Sequence, residues 1–495
     1  MRERNKLKMH DLIRDMGREI VFEKSPNNPG KRNRLWSQED VLNVRHKHTR
    51  SEELEGLSLN LPTLEDVQSK AFASMKNLRL LQINSVNLKG CFTHFSKELK
   101  WLCWHNCPLK CLPPNFHLEN LVVLDMQHSN FRQVWKGNKV LDKLKVLNLS
   151  HSKCLTKLPN FLHVPHLEIL ILEGCTNLVD VHESIGLLKR VVLLNLKGCE
   201  NLKNLPKSIY RLRSLESLDL SGCSNVDKLS EELGNMISLT ELRAEETGIK
   251  QLPSSFGLLK NLKIVLLSGS TGQSSKSRLS HFLPWMSPKS LLPPSVCGLR
   301  SLTALVLHDC NLSEDGIPND LGDLVSLEAL YLSKNNFRNL PQCIGRLPKL
   351  DCLSLSGCTT LQSISELPAS LRDLNANGCT SMERLTNLSN LKELRNLRLA
   401  KCRKLVEING LESSKFTLYI QMQGCNNLSY DYRMSLLQSL TMGACLGDLI
   451  VFLPGTEVPN WFSHRTTGSS VSFHVPSLTE GEVCILLFLC CSCIR

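Results

Sequence analysis

From Leu54 onward one pattern governs this sequence: Leu-x-x-Leu-x-Leu-x-x-(Cys/Asn/Ser). Clear copies are Leu167-Leu170-Leu172-Cys175, Val191-Leu194-Leu196-Cys199, Leu215-Leu218-Leu220-Cys223, Leu302-Leu305-Leu307-Cys310, Leu327-Leu330-Leu332-Asn335 and Leu350-Leu353-Leu355-Cys358. Leading apolar positions at 54, 78, 99, 121, 144, 167, 191, 215, 239, 262, 302, 327, 350, 371 and 394 give about fifteen copies, at a period of 20–29 residues. The Leu-x-Leu step is strand periodicity, with both leucines inward and the residue between them outward. Each copy then turns at the Cys/Asn position and returns through a segment such as Asn204-Leu-Pro-Lys-Ser-Ile-Tyr-Arg-Leu212. A single copy cannot bury its own apolar face, so neighbours must stack into one continuous core.

The fold class that follows is α/β: a leucine-rich-repeat solenoid built on a curved parallel β-sheet. Strands ~4.8 Å apart would give an inner arc of roughly 70 Å. The whole chain has 495 residues, 42% apolar, 21% charged and only 5% aromatic, which predicts a mostly aliphatic core and excludes a disordered or collagen-like chain. One interval, Leu262 to Leu302, is too long for a single repeat. It holds Gly269-Ser-Thr-Gly-Gln-Ser-Ser-Lys-Ser277, Pro284-Trp285-Met286 and Pro293-Pro294, and reads as an exposed insertion at about 270–294, with Trp285 its candidate contact residue.

The cysteines divide by position. Cys107, Cys175, Cys199, Cys223 and Cys310 are among those at the repeat turn, where parallel inward side chains suit a small apolar plug better than a disulfide. Cys103, Cys107 and Cys111 alternate with His105 and His117, but the repeat points Cys103 outward and Cys107 inward, so no metal site is expected. A second group, Cys490, Cys491 and Cys493, crowds the end of the sequence.

The two ends differ from the array. Met9, Leu12, Ile13, Met16 and Ile20 recur at helical spacing, and Pro26-Asn-Asn-Pro-Gly30 stops that helix. A second helix begins at Ser37, with Trp36 and Val41 placed as a hydrophobic staple. Residues 1–50 carry thirteen of the 59 Lys/Arg and seven of the 47 Asp/Glu, so half of the formal +12 charge lies there; without interleaved aromatics, nucleic acid is not an expected partner. The opening Met1-Arg-Glu-Arg-Asn-Lys6 lacks the apolar core of a signal peptide, and the apolar run Val483–Ile494 is too short for a spanning helix. A cytoplasmic or nuclear setting, free thiols and no membrane are therefore expected.

Met9-His10-Asp11-Leu12-Ile13-Arg14-Asp15-Met16-Gly17-Arg18-Glu19-Ile20-Val21 resembles the Met-His-Asp motif in the winged-helix subdomain of plant TIR-NB-LRR disease-resistance proteins. Pro29-Gly-Lys-Arg-Asn-Arg-Leu-Trp36 is similar to that family's continuation. Leu99-Lys-Trp-Leu-Cys-Trp-His105, with Cys111-Leu-Pro-Pro-Asn-Phe116, resembles its early repeats. Pro454-Gly455-Thr-Glu-Val-Pro459-Asn-Trp461-Phe462-Ser-His464 resembles the entry to its post-LRR β-sandwich.

The resemblance implies a domain order: 1–50 a short helical winged-helix remnant, 51–430 the repeats, 431–495 the start of a truncated β-sandwich. It also implies an intracellular immune receptor whose repeats recognise a pathogen effector or guarded host protein and restrain the nucleotide-binding (NB-ARC) domain of the same or a related receptor. Met9, His10 and Asp11 would then be the nucleotide-sensing motif, His10 lying by the β-phosphate of ADP. The cofactor of the full-length family, ADP or ATP, has no phosphate-binding loop in this sequence: Gly30-Lys31-Arg32 lacks both the first glycine and the hydroxyl. Neither that loop nor the TIR NADase domain being present, no catalytic activity is expected, and no cofactor is expected for this chain alone.

The concave surface that would do the recognising is read from the outward repeat positions: Trp101, His105, Asp125, Ile169, Ile171, Glu173, Ser217, Asp219, Glu241, Arg243, Glu245, Tyr331, Asp373, Asn375 and Arg398. An F-box-like substrate adaptor or a standalone binding scaffold is the alternative reading, but no F-box-like helices precede the array. Asn148-Leu-Ser and Asn311-Leu-Ser match the glycosylation pattern of a cell-surface ectodomain, yet the repeat consensus generates them by itself.

Overall fold

The leading apolar position of each repeat is buried almost completely, from Leu54 and Leu121 at 0% exposed to Leu371 at 0% and Leu394 at 1%. The computed structural model describes residues 11–46, 51–269, 291–364, 366–411, 418–443, 449–454 and 486–491. It resolves into two compact units, Met1–Asp227 and Lys228–Arg495.

In the first unit, parallel strands succeed one another in chain order: Gly56–Gln68, Leu80–Lys89, Trp101–Cys103, Val123–Asp125, Val146–Asn148, Ile169–Ile171, Leu193–Asn195 and Ser217–Asp219. The register holds the middle leucines in one column, Leu102, Leu124, Leu147, Leu170, Leu194 and Leu218, all at 0% exposed. The flanking strand residues are half-buried, as period-2 alternation requires. The aromatic minority is not spread evenly: Phe72, Phe92, Phe95 and Phe116 stack in the early repeats with centroids 4.7–5.9 Å apart.

Before the repeats, Asp11–Glu23 forms a helix that buries none of its residues, so the expected apolar stripe is formed but uncovered. Pro29–Lys31 makes one 3-10 turn and Gln38–His46 the second helix. Arg34–Leu35 pairs in parallel with Gly56–Leu57, so this segment supplies a strand to the repeat sheet. A buried arginine ties it together. Arg32, 2% exposed, donates to the carbonyls of Ser25 and Pro26 and to Asp40 Oδ2 at 2.8–2.9 Å, and stacks on Phe22.

The second unit repeats the scheme through Glu241–Ala244, Ile264–Ser268, Ala304–His308, Ala329–Tyr331, Cys352–Ser354, Asp373–Asn375, Asn396–Arg398 and Leu418–Gln421. Return segments in both units form 3-10 turns after an extended cap, such as Lys207–Arg211 after Pro206 and Ser254–Leu258 after Pro253. Proline suits that cap because its φ is already fixed. These turns stack so closely that a Cβ on Gly257 would overlap the Ser295 carbonyl, and one on Gly298 that of Gly257.

The insertion is shorter than 270–294. Leu291 and Leu292 are 8% and 0% exposed, Leu291 accepts a backbone hydrogen bond from Leu252 at 2.9 Å, and Pro294–Gly298 is already a return turn. Pro293 and Pro294 are a cap and first turn residue, not loop. Trp285 lies outside the described residues.

At the far end, where a β-sandwich entry is expected, Leu449–Pro454 and Leu486–Cys491 pair in parallel and extend the repeat sheet from Leu418–Gln421. Val451 and Leu453, 2% and 1% exposed, carry the inward alternation onward. Between the repeats and these strands stands the helix Tyr430–Gly443. Among the described residues no helix is long and apolar enough to cross a membrane.

Candidate recognition surface

Two features of the repeat decide what its open face can present. The strands are short, so each repeat displays its outward strand positions and the first turn residue. The turn behind them is held rigidly. Gly198, at φ 69°, takes the left-handed conformation that lets backbones stack, and Cys199 Sγ lies 3.3 Å from the Leu172 carbonyl of the preceding repeat. The same thiol-to-carbonyl contact recurs at Cys175, Cys223, Cys358, Cys379 and Cys425, at 3.0–3.3 Å. Burial pushes Cys175 and Cys223 up to about 12, so both are neutral plugs that donate a weak hydrogen bond. Among the described residues the cysteines are free thiols.

On the first unit, Trp101 is half-buried beside Val123 and Leu80 in register. Ile169 and Ile171 are half-buried too, while Glu173 meets Lys197 at 3.5 Å and accepts from Asn195 at 3.3 Å. His105 and Asp125 do not stand apart as the linear reading has them. His105 Nε2 lies 3.3 Å from Asp125 Oδ1 and 3.2 Å from Cys103 Sγ.

The expectation that the repeat keeps ligand-type side chains from converging is corrected here. Cys103 shares the outward column with Asp125, and His105, two residues on, returns to the same face. The third group comes from the next repeat, not from Cys107 or Cys111. Cys103 is nevertheless only 3% exposed, being covered by its neighbours, and burial with the Asp125 charge beside it pushes its thiol up to about 12. Among the described residues this is the group of three ligand-type side chains whose donor atoms all lie within 4.8 Å of one another. One repeat length separates Cys103 from Asp125 in the chain, and that step was the available signal.

On the second unit the predicted residues are already paired among themselves. Arg243 donates through Nε and Nη2 to Glu241 Oε1 at 2.8 and 2.6 Å, and Glu245 stands two positions further along the same strand-to-turn segment. Asp373 accepts from Arg398 Nη1 and from Asn396 Nδ2, each at 3.2 Å. Tyr331, 37% exposed, presents its ring between these pairs in chain order, its hydroxyl 3.8 Å from Cys352 Sγ. The face is thus a set of compensated ion pairs around an exposed aromatic, suited to an orienting protein contact more than to steering by bulk charge.

Asp11 opens the first helix, exposed, with Arg14 at 2.7 Å. Its predicted companions Met9 and His10 lie outside the described residues, as do Gly455, Pro459, Trp461 and Phe462; Pro454 ends a described strand, where its carbonyl accepts from Arg433.

Comparison with known proteins places these features. Residues 285–489 match the family described as a leucine-rich repeat region. The chain is 30% identical to TMV resistance protein N of Nicotiana glutinosa over 96% of its own length and 45% of that protein. It is 28% identical to the disease resistance-like protein DSC1 of Arabidopsis thaliana over 95% of its length and 45% of the relative. Over 38% of its length it is 37% identical to the disease resistance protein RUN1 of Vitis rotundifolia. It therefore spans under half the length of the first two relatives. A solved leucine-rich-repeat protein of Leptospira interrogans superposes on 84% of the chain, with 20% identity and a TM-score of 0.48.

Proposed function

Since this chain is homologous along nearly its whole length to the C-terminal, leucine-rich part of plant TIR-NB-LRR disease-resistance proteins, we propose that it is the recognition and restraint portion of an intracellular immune receptor. Its open strand face binds a pathogen effector or a guarded host protein. Its first residues, with the Met9-His10-Asp11 motif, belong to the nucleotide switch of the NB-ARC domain, whose ADP/ATP exchange the repeats hold in check and whose release signals defence. The chain itself binds and performs no chemistry.

The observation that carries this reading is the reach of the homology. Repeats alone would match leucine-rich proteins of many kinds, but an alignment over 96% of the chain extends past them into the segments on either side. The uncovered apolar stripe of the first helix supports it, with Ile13 and Met16 60% and 65% exposed, since a helix within a larger domain would bury that face.

The test is binding of the purified full chain to a candidate effector and to the NB-ARC domain of a related receptor. Tyr331→Ala and Arg398→Glu are expected to weaken effector binding about tenfold or more and leave NB-ARC binding unchanged. Effector binding indifferent to both substitutions would remove the face from the proposal, and binding to neither partner would remove the receptor reading.

A further inference from the structure

Cys103, His105 and Asp125 meet on the open strand face for a reason that recognition of a protein does not need. Sγ of Cys103 and Nε2 of His105 are 3.2 Å apart, and Nε2 is 3.3 Å from Oδ1 of Asp125. A tetrahedral zinc ion with the usual bond lengths holds its sulfur, nitrogen and oxygen ligands roughly 3.4–3.6 Å from one another. Two of the three edges stand close to those values, and the third, Cys103 Sγ to Asp125 Oδ1, lies within 4.8 Å.

The arrangement is unsatisfied as a purely protein cluster. Asp125 Oδ1 is buried and accepts no hydrogen bond, although Nε2 is near it. If Nε2 carries a proton, that proton makes no hydrogen bond to Oδ1. If the thiol donates to Nε2 instead, Oδ1 faces a nitrogen lone pair. Neither arrangement gives the carboxylate oxygen a partner, which is costly for a buried acceptor. A cation at the centre of the three atoms satisfies all of them together.

The surrounding side chains hold the donors in place. Gln127 Nε2 donates to the other oxygen, Asp125 Oδ2, at 3.2 Å, which leaves Oδ1 turned to the cluster. Asn84 Oδ1 accepts from the His105 backbone at 3.2 Å and is itself steadied by Asn60. Metal ligands characteristically have such outer partners. The strand register supplies the rest: Cys103 and Asp125 are aligned positions on neighbouring strands, and His105 is two residues beyond Cys103.

We propose that Cys103, His105 and Asp125 bind one divalent ion of the zinc class through Sγ, Nε2 and Oδ1. A thiolate, an imidazole and a carboxylate form a donor set that suits zinc and its cobalt surrogate and disfavours magnesium or calcium. Binding replaces the thiol proton, which is released to solvent as the sulfur–metal bond forms. The fourth position would open toward the exposed side, where the His105 and Asp125 side chains are 27% and 23% exposed, leaving it to a solvent ligand as in other three-ligand zinc sites. The site does not depend on the receptor reading.

The test is titration of the reduced full chain with Co2+, followed by zinc displacement and metal analysis after dialysis. One equivalent of cobalt with a thiolate-to-metal charge-transfer band, displaced by zinc, is the expected result. Cys103→Ser should abolish the band, Asp125→Asn should weaken binding, and Gln127→Ala should weaken it about 10–100-fold. Circular dichroism of Cys103→Ser checks that the fold persists, and Asp125→Asn, which keeps the shape of the side chain, provides a second route if it does not. No charge-transfer band, or one that survives Cys103→Ser and disappears with Cys111→Ser, overturns the proposal.

Discussion

The turn residue of each repeat answers one question: what caps the backbone carbonyls left by the preceding strand. A cysteine does so with a weak donor, and Asn335 does so with a strong one. Only 1% exposed, Asn335 donates to the carbonyls of Leu307 and Leu332 at 2.7 and 2.8 Å and accepts from the amides of Cys310 and Leu312 at 3.1 and 3.0 Å. Asn335→Ala leaves those groups unpaired, and a loss of about 3 kcal/mol is expected in urea unfolding, from one to three per stranded group with partial relaxation. Asn335→Cys should cost less, because the thiol recovers a carbonyl contact. Thiol chemistry should sort by the same logic. Cys91 is exposed, and its hydrogen bonds from Thr93 lower its pKa, so it holds more thiolate at a given pH than Cys175 or Cys223. Alkylation followed by peptide mapping at pH 7.5 should mark Cys91 well ahead of Cys175 and Cys223, and equal labelling would contradict the burial of the turn thiols.

Elements meet most tightly on the return side. Gly257 and Gly298 sit where successive 3-10 turns touch backbone to backbone, and Gly322 allows the Cys343 carbonyl to come within 2.6 Å of where its Cβ would stand. Gly298→Ala is expected to lower stability by about 1–3 kcal/mol, the cost of forcing a close-packed contact apart, read as a fall in the urea midpoint. The first helix gives the opposite case. Replacing Ile13 and Met16 by serine should change the unfolding free energy by no more than about 0.5 kcal/mol, since neither side chain is buried, while reducing self-association in sedimentation. The strands were legible because Leu-x-Leu can be read residue by residue. The glycine positions are not legible in the sequence, because a small residue announces what it lacks only when its neighbour is known. Gly186, Gly234, Gly257, Gly322 and Gly345 nevertheless hold one place in their return turns, with Gly298 one place later in its own and Tyr210 holding that place in Lys207–Arg211. Arg32 was hidden for a similar reason: three of its partners are other segments' oxygens.

At the scale of the whole molecule, the sequence pattern carried the array and its parallel sheet, since a periodic core leaves few alternatives. It carried the candidate site less well. Trp101, Tyr331 and Arg398 could be assigned to the open face by counting. The meeting of Cys103 with Asp125 requires the register between two repeats, whereas linear spacing groups Cys103 with Cys107, Cys111, His105 and His117 and leads to the expectation of no site. The far end departs from its family-based expectation because Leu449–Pro454 has the same inward alternation as the strands before it and so joins them. The long interval after Leu262 shows what such an array tolerates. Ile264–Ser268 and Ala304–His308 pair position by position, and the turns Ser254–Leu258 and Pro294–Gly298 still stack, whatever length of chain lies between. The span from 270 to 290 is therefore a place where foreign sequence can be spliced in without disturbing the core. A fluorescent protein or a protease recognition sequence placed there would report on this repeat chain while leaving its strands to fold as before.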